Sequence, residues 1–154
     1  MNRLAIALAT ALGVGYAPIA PGTFGSAAGL VLWWLLPVSP VVQLAAIVVV
    51  FAIGSWSGSV AERHFNRTDP GHVVLDEVLG MQITLFLNPV GWLGALVGFF
   101  LFRVADIIKP YPANKLEALH GGVGIMADDA MAAVYSNVAL HVILIVAHRM
   151  HWTL

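Results

Sequence analysis

A helical bundle embedded in a membrane is the fold class predicted for this 154-residue chain, and three observations predict it. The sequence is 60% apolar and only 10% charged, with a mean hydropathy of +0.88, whereas an ordinary soluble domain carries roughly 25% charged residues. The charges are also segregated: Leu4 to Ala61, Val78 to Phe102 and Ala130 to His148 contain no Asp, Glu, Lys or Arg. Finally, Gly and Pro cut these runs into pieces, which predicts an all-α compact bundle of about six helices, several short or re-entrant, forming one domain over residues 1–154. The formal net charge of −1 gives no basic footprint for nucleic acid. The absence of cysteine excludes disulfides, thiolate metal sites and Cys nucleophiles.

The breakers place each element. A short helix is expected from about Arg3 to Leu12; one Arg ahead of an apolar run resembles a signal peptide, but Gly13 to Gly29 holds no convincing cleavage site, so it reads as mature sequence. Gly13 to Gly25, rich in Gly and Pro, predicts a loop or re-entrant turn. A short helix follows at roughly Ser26 to Leu36, then the turn Pro37-Val38-Ser39-Pro40, then a long helix at roughly Val41 to Ala61 that matches the about 20 residues of a membrane span. Asn88-Pro89-Val90-Gly91 breaks the second uncharged run, because proline disfavours helical backbone at the residue before it and suits a first helical turn. Two helices are therefore expected there, at about Asp76 to Leu87 and Pro89 to Ile108. The last helix starts near Ile125 or Asp128 and reaches about His148.

The break at Asn88-Pro89 decides where the acids lie. A single straight helix would put Asp76 and Asp106 about 45 Å apart, on opposite faces of the bilayer, at a rise of about 1.5 Å per residue. A hairpin returns Asp106 to the side of Asp76 and Glu77, and the next loop keeps Asp128 and Asp129 there too. Thirteen of the fifteen charged residues fall between Glu62 and Asp129. Arg63, Arg67, Arg103, Lys109 and Lys115 share this face, with the turn at Pro21-Gly22-Thr23 expected opposite Arg63 and Arg67, while Arg149 is on the other. The positive-inside bias makes the acidic face cytoplasmic.

Each candidate has a plain structural role as well as a chemical one. Asp128 and Asp129, and likewise Asp76 and Glu77, begin helices, where carboxylates cap free N–H groups and complement the dipole. Asp106 lies near a helix C-terminus, where the dipole disfavours negative charge by roughly 0.3–1 kcal/mol, so it needs a cation or donor; Arg103, three residues earlier, could supply a salt bridge. Lys109 reads equally as a snorkelling lysine or a phosphate ligand. Ala20-Pro21-Gly22-Thr23-Phe24-Gly25-Ser26 reads as a plain re-entrant turn or as a phosphate cradle, with Thr23 and Ser26 at the positive end of a helix. The six histidines form no metal spacing: His141 and His148 share a helix face, and His64, His72, His120 and His151 read as loop residues. Trp33, Trp34, Trp56, Trp92 and Trp152 read as interfacial anchors.

Five motifs occur in a fixed order. They are Gly13 to Pro18, Ala20 to Ser26, Asp76-Glu77-Val78-Leu79-Gly80, Phe102-Arg103-Val104-Ala105-Asp106-Ile107-Ile108-Lys109-Pro110-Tyr111-Pro112, and Gly121 to Asp129. In this order the chain resembles the phosphatidylglycerophosphatase A family over about Gly13 to Tyr135, departing at Ala133, where the family commonly has Gly. The resemblance implies a magnesium-dependent enzyme of the bacterial inner membrane that removes the terminal phosphate of phosphatidylglycerophosphate, giving phosphatidylglycerol.

Chemistry and resemblance meet in one expected mechanism. Mg²⁺ takes oxygen ligands and keeps several waters, so two or three carboxylates from Asp76, Glu77, Asp106, Asp128 and Asp129 suffice; the others leave room for a general base, a nucleophile or a second ion. Arg103 and Lys109 are expected to bind the phosphate, with Thr23 and Ser26 as further donors. Direct attack by water is preferred over an aspartyl-phosphate, because the DxDxT signature is missing. Two other functions fit some of these features: a phosphatase for phosphatidic acid or an isoprenoid phosphate, and a small ion or solute transporter. The acids on a single face argue against a through-path.

Overall fold

The computed structural model describes residues 2–116, 119, 121–150 and 152; His120 and His151 lie outside them. The described residues form seven α-helices and one 3₁₀ turn: α1 (Asn2–Ala9), the 3₁₀ turn (Val14–Tyr16), α2 (Pro21–Leu35), α3 (Pro40–Phe65), α4 (Leu75–Leu85), α5 (Trp92–Ile108), α6 (Ala113–Leu116) and α7 (Gly122–Arg149). No strand occurs among them. Helices α3 and α7 are long and apolar enough to cross a membrane. Large apolar side chains stay exposed on the outer helices, among them Val48 and Val49 on α3, Phe100 on α5 and Val142 on α7, a surface suited to lipid rather than water.

The short helix α4 is the centre of the bundle. It packs against α2, α3, α5 and α7, and eight of its eleven residues are buried. A helix buried all round needs close neighbours, and glycine supplies them: a side chain at Gly80 would run into the Phe102 ring of α5, and one at Gly29 of α2 would meet Met81 Cβ at 2.8 Å. The core of Leu30, Met81, Leu85, Ala95, Phe102, Ala132, Ala133 and Leu140 joins α2, α4, α5 and α7. Ala133 is fully buried within it, so the core accommodates its methyl.

The expected hairpin is present: α4 and α5 are joined by Phe86 to Gly91, and Asn88 is buried in that turn. Several boundaries differ from expectation. Helix α2 begins at Pro21, not Ser26, because proline occupies its first turn, where its missing N–H costs nothing. Helix α3 continues to Phe65, which puts His64 on a helix and not in a loop, and α5 begins at Trp92, after Pro89. Gly22 approaches Glu77 and Arg103, and not Arg63 or Arg67, both of which are exposed. The one-turn helix α6 had no sequence signal. Helix α7 begins at Gly122, so Asp128 and Asp129 lie in its second turn and are not caps.

Candidate active site

Two helix starts meet at one end of the bundle. The start of α4 is fixed from behind, where the Val74 N–H donates to the Ala9 carbonyl at 2.9 Å. Asp76 and Glu77 follow in its first turn, where unpaired N–H groups and the dipole favour negative charge. The start of α7 is fixed by α3: the Gly122 N–H donates to Ser59 Oγ at 2.8 Å, and a side chain at Gly122 would collide with the Ser55 carbonyl. Gly121, at φ 84°, turns the chain into the helix. These glycines are contact points rather than helix breakers, which is why α7 starts several residues ahead of its acids.

The five acids divide into two groups. Asp76, Glu77 and Asp129 each bring a ligand oxygen to within 4.8 Å of the others. Each of the three also has a buried oxygen with no hydrogen-bond partner: Asp76 Oδ1, Glu77 Oε2 and Asp129 Oδ2. Asp106 and Asp128 are paired with cations instead. Arg103 Nη1 donates to Asp106 Oδ2 at 2.8 Å and lies 3.7 Å from Glu77 Oε1, so it bridges the two groups. Lys109 Nζ donates to Asp128 Oδ2 at 2.6 Å, while Asp128 Oδ1 accepts the Asp129 N–H at 2.9 Å.

Backbone geometry aims the two cations. Arg103 is reached from α2, where Ser26 Oγ accepts from its Nη1 at 3.4 Å and donates to the Gly22 carbonyl at 3.0 Å. Gly22 leaves the room: a side chain there would collide with Glu77 Oε1. Lys109 caps α5 at φ 46°, a conformation costly for a residue with a side chain, and its N–H donates to the Ala105 carbonyl at 2.8 Å. Thr23 is exposed on the first turn of α2, and its N–H already donates to the Ala20 carbonyl at 2.9 Å.

Three carboxylates this close together, each keeping one buried oxygen that no donor meets, are costly unless a cation joins them. The donor set is all oxygen, with no His or Cys, which suits a hard divalent ion such as Mg²⁺. Sequence reasoning missed Asp69. It lies in the loop between α3 and α4, donates its N–H to Glu62 Oε1 at 3.4 Å, and adds its negative charge to the field at Asp76 and Asp128. The turn Thr68-Asp69-Pro70-Gly71 just ahead of α4 was the available signal.

Comparison with known proteins agrees with the geometry. The family model for Phosphatidylglycerophosphatase A matches residues 7–144. Phosphatidylglycerophosphatase A of Escherichia coli is 38% identical over 151 residues, covering 96% of this chain and 84% of its own. The protein of the same name from Haemophilus influenzae is 36% identical over 140 residues, covering 88% and 86%. A putative phosphatidylinositol-3-phosphatase of Bacteroides thetaiotaomicron is 37% identical over 148 residues, covering 90% and 92%. No solved structure matches the chain. With a family match over most of its length and an acid-and-cation cluster built from the ordered motifs, the chain belongs to the phosphatidylglycerophosphatase A family of phosphatases.

Proposed function

We propose that this protein is a Mg²⁺-dependent lipid phosphatase that hydrolyses the terminal phosphomonoester of phosphatidylglycerophosphate, giving phosphatidylglycerol and phosphate. It works in the bacterial inner membrane with its site on the cytoplasmic face. The observation that carries this reading is the trio Asp76, Glu77 and Asp129, with ligand oxygens within 4.8 Å of one another and a buried oxygen on each lacking a partner. The names of the Escherichia coli and Haemophilus influenzae relatives supply the substrate. Orientation rests on the placement of Arg63, Arg67, Arg103, Lys109 and Lys115 toward one end and Arg149 toward the other.

Asp76, Glu77 and Asp129 would hold Mg²⁺, with Asp106 and Asp128 completing the acidic wall. When bound, the ion supplies positive charge against the phosphate oxygens and lowers the cost of deprotonating water. Arg103 and Lys109 bind the phosphate oxygens, and their carboxylate partners, at 2.8 and 2.6 Å, fix where the two cations point. Ser26 steadies Arg103, and the exposed Thr23 hydroxyl adds a donor at the mouth. Water attacks phosphorus in line and gives its proton to a carboxylate of the wall. The bond from phosphorus to the glycerol oxygen breaks with its electron pair on that oxygen, which takes up a proton to leave as the alcohol.

The Bacteroides thetaiotaomicron relative gives a second reading specific weight: a phosphomonoester on an inositol headgroup. Purified protein in detergent decides between them. Phosphate release from phosphatidylglycerophosphate is expected with Mg²⁺, abolished by EDTA and restored by added Mg²⁺. Release no greater than that of Asp129→Asn refutes the reading, and a higher kcat/KM for phosphatidylinositol 3-phosphate replaces the substrate.

A further inference from the structure

One cation on the acidic face takes no part in the site just described. Lys115, on α6, is exposed, and its Nζ lies 5.0 Å from the centroid of the Tyr111 ring. No carboxylate among the described residues pairs with it within salt-bridge distance. Tyr111 is 68% exposed, so the ring is a platform and not part of the core. Its carbonyl is held by the Tyr135 hydroxyl of α7 at 2.8 Å.

Tyr135 relates this platform to the acids. It follows Asp128 on α7 by seven residues, two turns, so both lie on the same face, roughly 10 Å apart along the axis. Helical side chains lean toward the N-terminus, so the Tyr135 hydroxyl reaches back toward Asp128. The platform therefore lies alongside α7 between the levels of Asp128 and Tyr135, within the start of that helix's uncharged run. Exposed Val104, Ile107 and Ile108 of α5 and Val134 and Val138 of α7 make the adjoining surface apolar. A lysine at such a boundary extends its ammonium to the headgroup layer.

The proposed substrate carries a second anion on that side. Its terminal phosphomonoester is joined through a glycerol to the phosphodiester that bears the lipid, with the two phosphorus atoms roughly 7 Å apart when extended. Resting on the function proposed above, we infer that Lys115, set by the Tyr111 ring, binds the phosphodiester of the substrate and so selects lipids whose phosphomonoester is carried on a headgroup beyond a phosphodiester. Phosphatidic acid, with a monoester and no diester, gains nothing from it. The stacked ring and the tyrosine clamp hold the lysine where a diester arrives once the monoester is engaged by Arg103 and Lys109.

The test is steady-state kinetics on phosphatidylglycerophosphate in mixed micelles. Lys115→Gln is expected to raise KM about tenfold with kcat changed by less than about twofold, the signature of a lost charge-assisted contact made equally in ground and transition states. Lys115→Arg, which keeps the charge, should restore KM to within about threefold. Tyr111→Leu, which removes only the ring, should raise KM about threefold, and it carries the test if Lys115→Gln does not fold. A KM unchanged by Lys115→Gln, or a fall in kcat with KM constant, overturns the assignment while leaving the proposed function intact. A wild-type protein that releases no phosphate from this lipid overturns both.

Discussion

The two ends of α4 handle buried polarity in opposite ways. At its C-terminal end Asn137 of α7 reaches across, its Nδ2 donating to the Ile83, Thr84 and Phe86 carbonyls at 3.0, 3.1 and 2.8 Å. Asn88 Nδ2 donates to the Thr84 carbonyl at 3.2 Å, and Asn88 Oδ1 lies 3.0 Å from His141 Nδ1. The Thr84 hydroxyl and the Trp33 Nε1 stay unmatched there, but the amides of Asn88 and Asn137 are both satisfied within the protein. At the N-terminal end the carboxylates of Asp76, Glu77 and Asp129 each keep a buried oxygen unmatched. Backbone and side chains within a bilayer must find partners inside the protein. The more complete end is therefore structure, closing the hairpin, and the incomplete end is where the proposed ion and phosphate would bind.

Substitutions at the two ends should separate activity from stability. The largest effect is expected at the incomplete end: Asp129→Asn should lower kcat/KM by about 10³-fold, as loss of a charged group at the reacting phosphate does. Its thermal midpoint in detergent should be equal to or above that of the wild type, since it removes one of several buried like charges. A clear loss of stability would break the distinction. Lys109→Met should cost about 10²-fold in kcat/KM. In a double-mutant cycle with Asp128→Asn the two losses should not add, because the pair at 2.6 Å acts as a unit. At the complete end, Asn137→Leu should destabilise by about 1–2 kcal/mol, measured by unfolding in detergent, with kcat per folded molecule near the wild-type value. A large kcat loss with stability unchanged would mean that this end, too, serves the reaction.

The fold was legible where breakers and length act locally. Proline at 37, 40 and 89 marked both turns, and the hairpin they imply explains why Asp76 and Asp106 share an end. Glycine was harder to read. Gly22 stood in the sequence within a turn, and Gly122 and Gly124 ahead of the expected start of the last helix, yet all lie within helices, because what each one supplies is room for Glu77, the Ser55 carbonyl and the Leu119 carbonyl. That demand is tertiary and leaves no local trace. The same limit hid the division among the acids: the spacing of Arg103 and Asp106 showed one pair, but the pairing of Lys109 with Asp128, nineteen residues on, exists only in the packed chain. Asp69 stands outside the five ordered motifs, and only the packed chain brings its charge near Asp76 and Asp128.

Divalent-ion binding by the purified protein tests the central claim most directly. Mn²⁺, read by its electron paramagnetic resonance signal, should bind saturably and be displaced by Mg²⁺. Affinity should fall at least about tenfold in Asp76→Asn, Glu77→Gln and Asp129→Asn and remain at the wild-type level in Asn137→Leu. Binding equally tight in the three acid variants would contradict the account.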